Sequence, residues 1–101
     1  MAGFVKVCKK VDIQAGSGKT VNVNGKDVAL FNVDGTFYAI DNTCLHRGGP
    51  LGEGELDGKI VTCPWHGWRY DVISGVNEMN PSVIVAKYEV KLEGEDVLVA
   101  A

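Results

Sequence analysis

At 101 residues, with 46% hydrophobic and 23% charged positions, the chain is sized and composed for one hydrophobic core, which excludes a disordered tail and argues against two domains. Its longest uninterrupted apolar run, 97–101, is far short of the roughly 18 residues a membrane span needs, so no membrane association is expected. Ten Lys and Arg against thirteen Asp and Glu give a net charge of -3, and no basic cluster exceeds Lys9-Lys10, which disfavours nucleic-acid binding by phosphate neutralisation.

Met1-Ala2-Gly3-Phe4-Val5-Lys6 lacks the basic-then-apolar order of a secretory signal, so a cytoplasmic location is expected. From there the apolar residues recur with a period of two. Val21 and Val23 alternate with Thr20, Asn22 and Asn24, and Tyr88, Val90 and Leu92 alternate with Lys87, Glu89 and Lys91, as in half-buried strands. The pattern predicts strands near 4–9, 19–24, 27–33, 36–41, 58–62, 69–72, 83–92 and 96–100, with irregular loops at 42–57 and 63–68. Asn24-Gly25, Asp34-Gly35, Asp57-Gly58 and Ser74-Gly75 are the expected two-residue turns, and Glu93-Gly94-Glu95-Asp96 closes the last hairpin. Segments 29–33 and 83–86 are apolar on both faces and are expected to be central strands between two layers. No window keeps a helical period for ten residues. The fold class that follows is all-β, an antiparallel sandwich or small barrel. Gly48, Gly49, Gly52 and Gly54 mark the 42–57 loop as tight and irregular.

The chemistry is concentrated in few residues. There are three cysteines, Cys8, Cys44 and Cys63, and two histidines, His46 and His66. An odd cysteine number without an export signal argues against a disulfide framework and towards metal binding. The order is Cys44-Leu45-His46, sixteen residues, then Cys63-Pro64-Trp65-His66, so each of two hairpin tips supplies one thiolate and one imidazole. A structural Cys2His2 zinc site usually groups its two cysteines on one knuckle and its two histidines on another. Mixed tips suit an asymmetric binuclear centre, with sulfur donors on one iron and nitrogen donors on the other. Two core histidines with two buried thiols are the bland alternative. Cys8, without a partner at useful spacing, reads as a small buried hydrophobe.

Cys44-Leu45-His46-Arg47-Gly48 and Cys63-Pro64-Trp65-His66-Gly67-Trp68-Arg69-Tyr70-Asp71 resemble the two ligand boxes of Rieske-type [2Fe-2S] proteins. The resemblance implies one [2Fe-2S] cluster, with Cys44 and Cys63 on the inner iron and His46 and His66 on the outer. It also implies a Rieske-type antiparallel sandwich or barrel spanning 1–101 as one domain, with a cluster-binding subdomain of two hairpin loops at about 42–72. Gly48, Gly49 and Gly67 would bring backbone N–H groups to the sulfides, and Leu45, Pro50, Pro64 and Trp65 would limit water. Gly49 and Trp65 stand where Rieske subunits of quinol-oxidising complexes carry a disulfide. Trp68 stands where those proteins have a hydrogen-bonding Ser. A lost donor implies a low potential. Tyr70 is expected either to hydrogen-bond the Cys63 sulfur or simply to alternate inward. Trp65 is read as a shield or as a docking contact, Trp68 as packing, and Arg47 as a solvated loop charge. Asn80-Pro81 resembles the family's proline loop.

Two further motifs fail. Gly16-Ser17-Gly18-Lys19-Thr20 lacks the leading glycine of a phosphate-binding loop, since position 13 is Ile13, and reads as a strand connection. Asn32-Val33-Asp34-Gly35 imitates a calcium loop, but its first ligand position is Leu30, so it reads as a hairpin.

Rieske oxygenases need a second iron held by two histidines and a carboxylate, and both histidines here lie in the ligand boxes. The resemblance therefore implies a monomeric, non-catalytic one-electron carrier, taking electrons from a flavin-dependent reductase and giving them to a terminal oxygenase. Glu53, Glu55 and Asp57 are expected near the tips, where they would steer a basic partner. The alternatives are a Rieske-like small subunit of NAD(P)H-dependent nitrite reductase and a zinc-stabilised interaction module.

Overall fold

The computed structural model describes residues 3–44, 48–65 and 67–100. Nine antiparallel strands are present among them: β1 (Phe4–Lys9), β2 (Ser17–Val23), β3 (Lys26–Val33), β4 (Thr36–Asp41), β5 (Glu55–Asp57), β6 (Ile60–Thr62), β7 (Arg69–Asp71), β8 (Lys87–Glu93) and β9 (Asp96–Ala100). Single 3-10 turns occupy Lys10–Asp12 and Leu51–Glu53. Six strands form one sheet in the order β1-β9-β8-β4-β3-β2, which curls into a near-barrel, and β5-β6-β7 form a small second sheet.

Local chemistry sets the turns. Asn24-Gly25 and Asp34-Gly35 have positive φ at both central residues (53 and 88°, 52 and 93°), the type I′ geometry that matches strand twist. Asn32 fastens the second of these by accepting the Gly35 N–H at 2.7 Å, so the calcium-like stretch is a hairpin. The phosphate-loop look-alike is the start of β2, where Gly18 lies under Phe31: a Cβ there would stand 2.3 Å from the ring.

Three expectations need correction. The loop expected over 42–57 contains β5, because the turn is Gly58-Lys59 rather than Asp57-Gly58: Asp57 pairs with Ile60, and Gly58 takes φ 61°. Ser74-Gly75 is not a two-residue hairpin loop. Asp71 Oδ1 accepts the N–H groups of Ile73 and Ser74 and builds a longer turn around that carboxylate. Residues 83–86 are not a buried central strand either. Ile84 is 56% exposed while Val85 is buried, and Ile84 makes an isolated bridge to Val76, so regular β8 starts only at Lys87.

The reading of 29–33 survives for a structural reason. Val28 and Leu30 point into a core with Val21, Val23, Ala39, Val97 and Val99, inside the curled sheet. Ala29 and Phe31 point into a second core with Ile40, Leu51, Val61, Tyr70 and Val72, between the two sheets. β3 is the wall between them and is buried on both faces. Cys8 is buried in the first core, where loss of hydration pushes its thiol pKa up, as for a small apolar side chain. Cys44 and Cys63 belong to the second.

Candidate metal centre

Two loops leave the second core with a cysteine at the base of each. The first follows β4. Cys44 N–H donates to the Gly49 carbonyl at 3.0 Å, and Gly48 N–H donates back to the Cys44 carbonyl at 2.8 Å, with Gly48 at φ 76°. The second follows β6, where Cys63 N–H donates to the Trp68 carbonyl at 2.7 Å. Both closures span five residues, so the small sheet and the end of β4 present two equivalent tips. His46 and His66, with Leu45 and Arg47, lie outside the described residues.

Asn42 anchors the first tip, a role that sequence reading missed. Its buried Oδ1 accepts Thr20 Oγ1 at 3.0 Å and Gly52 N–H at 2.8 Å, and its carbonyl accepts Leu51 N–H at 2.7 Å. An amide residue directly after a strand, ahead of a glycine-rich loop, was the available signal. Gly52 and Gly54 are tight here: a Cβ would stand 2.5 Å from Thr20 Oγ1 at the first and 2.1 Å from the Thr62 carbonyl oxygen at the second.

Cys44 and Cys63 are not joined in a disulfide, are 2% and 1% exposed, and lie in the same core. Burial pushes the Cys63 pKa up and the neighbouring Cys44 adds to that rise, while the Trp65 backbone N–H on the sulfur acts in the opposite direction. Two adjacent buried thiolates are therefore unfavourable without a compensating cation, and a metal supplies that compensation. The space beside them is kept clear by Gly49, where a Cβ would stand 2.7 Å from Cys63 Sγ. Two buried sulfur donors beside a glycine-lined recess fit an iron–sulfur group.

Tyr70 is both inward and hydrogen-bonded, but not to the expected sulfur. It pairs with Val61 across β6–β7, is fully buried, and its hydroxyl stands 3.5 Å from Cys44 Sγ. The ring crosses the core from one tip to the cysteine of the other. Trp68 packs against the second core, as expected. Trp65 is 49% exposed, and Pro64 is exposed beside it. Pro81 is exposed and lines a groove with Lys59, Ile60 and Asp71, at the Gly58 end of the small sheet. Of the acidic residues, Glu55 pairs with Thr62 beside the second tip, whereas Asp57 sits at the opposite end of β5, away from it.

The model of the Rieske [2Fe-2S] domain matches residues 3–99. The chain belongs to that family. It carries one Rieske-type [2Fe-2S] cluster. Ferredoxin CarAc of Metapseudomonas resinovorans is 35% identical over 99 residues, covering 96% of this chain and 92% of that protein. The ferredoxin component of the naphthalene 1,2-dioxygenase/salicylate 5-hydroxylase systems of Ralstonia sp is 39% identical over 88 residues, covering 86% and 85%. Among solved structures, a chain in the complex of reduced oxygenase and oxidized ferredoxin in carbazole 1,9a-dioxygenase superposes with TM-score 0.87 at 35% identity, covering 96% of this chain and 92% of that one. The Rieske fold accounts for the curled sheet and the small sheet that carries one of the two tips. No helix among the described residues is long and apolar enough to cross a membrane.

Proposed function

We propose that the protein is a soluble, cytoplasmic, monomeric electron carrier that takes one electron from a flavin-dependent reductase and delivers it to a terminal oxygenase. The cluster supplies one-electron redox chemistry. In this reading Cys44 and Cys63 hold the inner iron and His46 and His66 the outer, with 42–72 acting as the cluster-binding unit of a single domain. The observation that carries it is the pair of buried cysteines brought into one core at the bases of two loops closed in the same way. Relatives at 35 and 39% identity named as ferredoxins favour the carrier over a nitrite reductase small subunit.

The chain's own groups set the properties of the centre. Two thiolates balance the charge of two ferric ions and two sulfides, so reduction adds a charge to a neutral unit, which favours electron uptake relative to four-thiolate ligation. Tyr70 donates to Cys44 and stabilises the extra negative charge. Burial of both sulfurs keeps water from them. Docking is brief and uses a small surface, since a carrier must leave as readily as it binds.

The test is reconstitution. Adding the cluster-loaded protein to a reductase and terminal oxygenase of a ring-hydroxylating system is expected to restore NADH-driven product formation. A protein whose cluster is reduced by the reductase but never reoxidised by the oxygenase would contradict the assigned acceptor.

A further inference from the structure

Gly49 and Trp65 meet across the gap between the two loops. A Cβ on Gly49 would stand 2.7 Å from Cys63 Sγ and 3.0 and 3.1 Å from Cγ and Cβ of Trp65. Real Cβ atoms do not approach a sulfur as closely as 2.7 Å, and 3.0–3.1 Å is tighter than most of their contacts, so the first loop presents a bare backbone face against which the Cys63 sulfur and the root of the indole both lie. Gly49 cannot retreat, because its carbonyl is held by the Cys44 N–H. The result is unequal exposure: Trp65 is 49% exposed, whereas Cys63, two residues away on the same loop, is 1% exposed.

We infer that Trp65, seated on Gly49, is a positioning residue that seals the Cys63 sulfur from solvent and thereby holds the reduction potential down. This deepens the proposed function and rests on Cys63 being a cluster ligand. Reduction turns a formally neutral centre into an anionic one, and water near the ligand sulfur stabilises the anionic form more than the neutral one. A dry sulfur therefore disfavours the reduced state. The seal needs glycine on one loop and a broad apolar side chain on the other. A methyl group at 49 forces the sulfur or the ring to move, and a small residue at 65 leaves the recess open.

The experiment is a redox titration, followed by electron paramagnetic resonance, on the cluster-loaded parent, Trp65→Ala, Trp65→Phe and Gly49→Ala proteins. In Trp65→Ala the potential is expected to shift upward, and in Trp65→Phe, which keeps an apolar ring, to return close to the parental value. Gly49→Ala is expected to shift the same way as Trp65→Ala and to lose its cluster to a chelator about tenfold faster, as over-packing of ordinary size implies. If Trp65→Ala does not retain its cluster, Gly49→Ala decides by the same readout. A Trp65→Ala protein at the parental potential overturns the inference. So does one whose only defect is slower electron delivery to an oxygenase at unchanged potential, which would make the ring a docking contact. A parent protein that holds no iron overturns the ligand assignment itself, a separate and recognisable failure.

Discussion

Tyr70 shows how a single hydroxyl is placed to tune the centre. Its oxygen stands 3.5 Å from Cys44 Sγ in a site without solvent access, where a hydrogen bond to a ligand sulfur favours the more negative, reduced form. Tyr70→Phe keeps the ring and removes the donor. The potential is expected to fall by about 20–60 mV, which is the roughly 0.5–1.5 kcal/mol of one hydrogen bond expressed at 59 mV per tenfold for one electron; a redox titration checks it. His66→Cys tests the charge argument from the ligand side. A third thiolate adds a negative charge to the unit, so the potential is expected to drop by at least on the order of 100 mV, measured the same way. Cys44 and Cys63, which the fold brings into one core, were singled out by the specific spacing of their boxes, whereas His46 and His66 lie outside the described residues. The partner of Tyr70 was not legible in the sequence, since which of two sulfurs a buried phenol reaches depends on how the two sheets stack.

Between the strands, the loop bases decide whether two cysteines far apart in sequence share one core. Asn42 joins the end of β4 to the Leu51–Glu53 turn and, through Thr20, to β2. Asn42→Ala leaves the buried Gly52 N–H without its acceptor, at a cost of about 1–3 kcal/mol. A lowered urea midpoint at unchanged slope is the expected result, and an unchanged midpoint would show that water replaces the amide. β1, β4 and β9 were readable to the residue, because each alternates and is bounded by turn residues. β5 was not, because three residues in a glycine-rich stretch carry no period, and only pairing with β6 makes them a strand. Residues 83–86 misled for the opposite reason. An apolar run reads as buried from both sides, yet Ile84 faces outward where the chain crosses between the sheets.

Across the whole molecule the division of labour follows from β3. With one face in each core, it makes the curled sheet a rigid base and leaves the small sheet and the end of β4 to present the two tips. The all-β class could be read from the period, and the family from the two boxes. The existence of two cores could not, because alternation tells which residues share a face but not what covers it. The proposed function rests on one assignment, two irons held between those tips by two sulfurs and two nitrogens. The most direct measurement is the electron paramagnetic resonance spectrum of the dithionite-reduced protein, taken with iron and acid-labile sulfide analysis. A rhombic signal with an average g below that of the free electron, couplings to histidine nitrogen, and about two irons and two sulfides per chain are expected. A colourless, silent protein that binds a single zinc, even after anaerobic reconstitution, would contradict it.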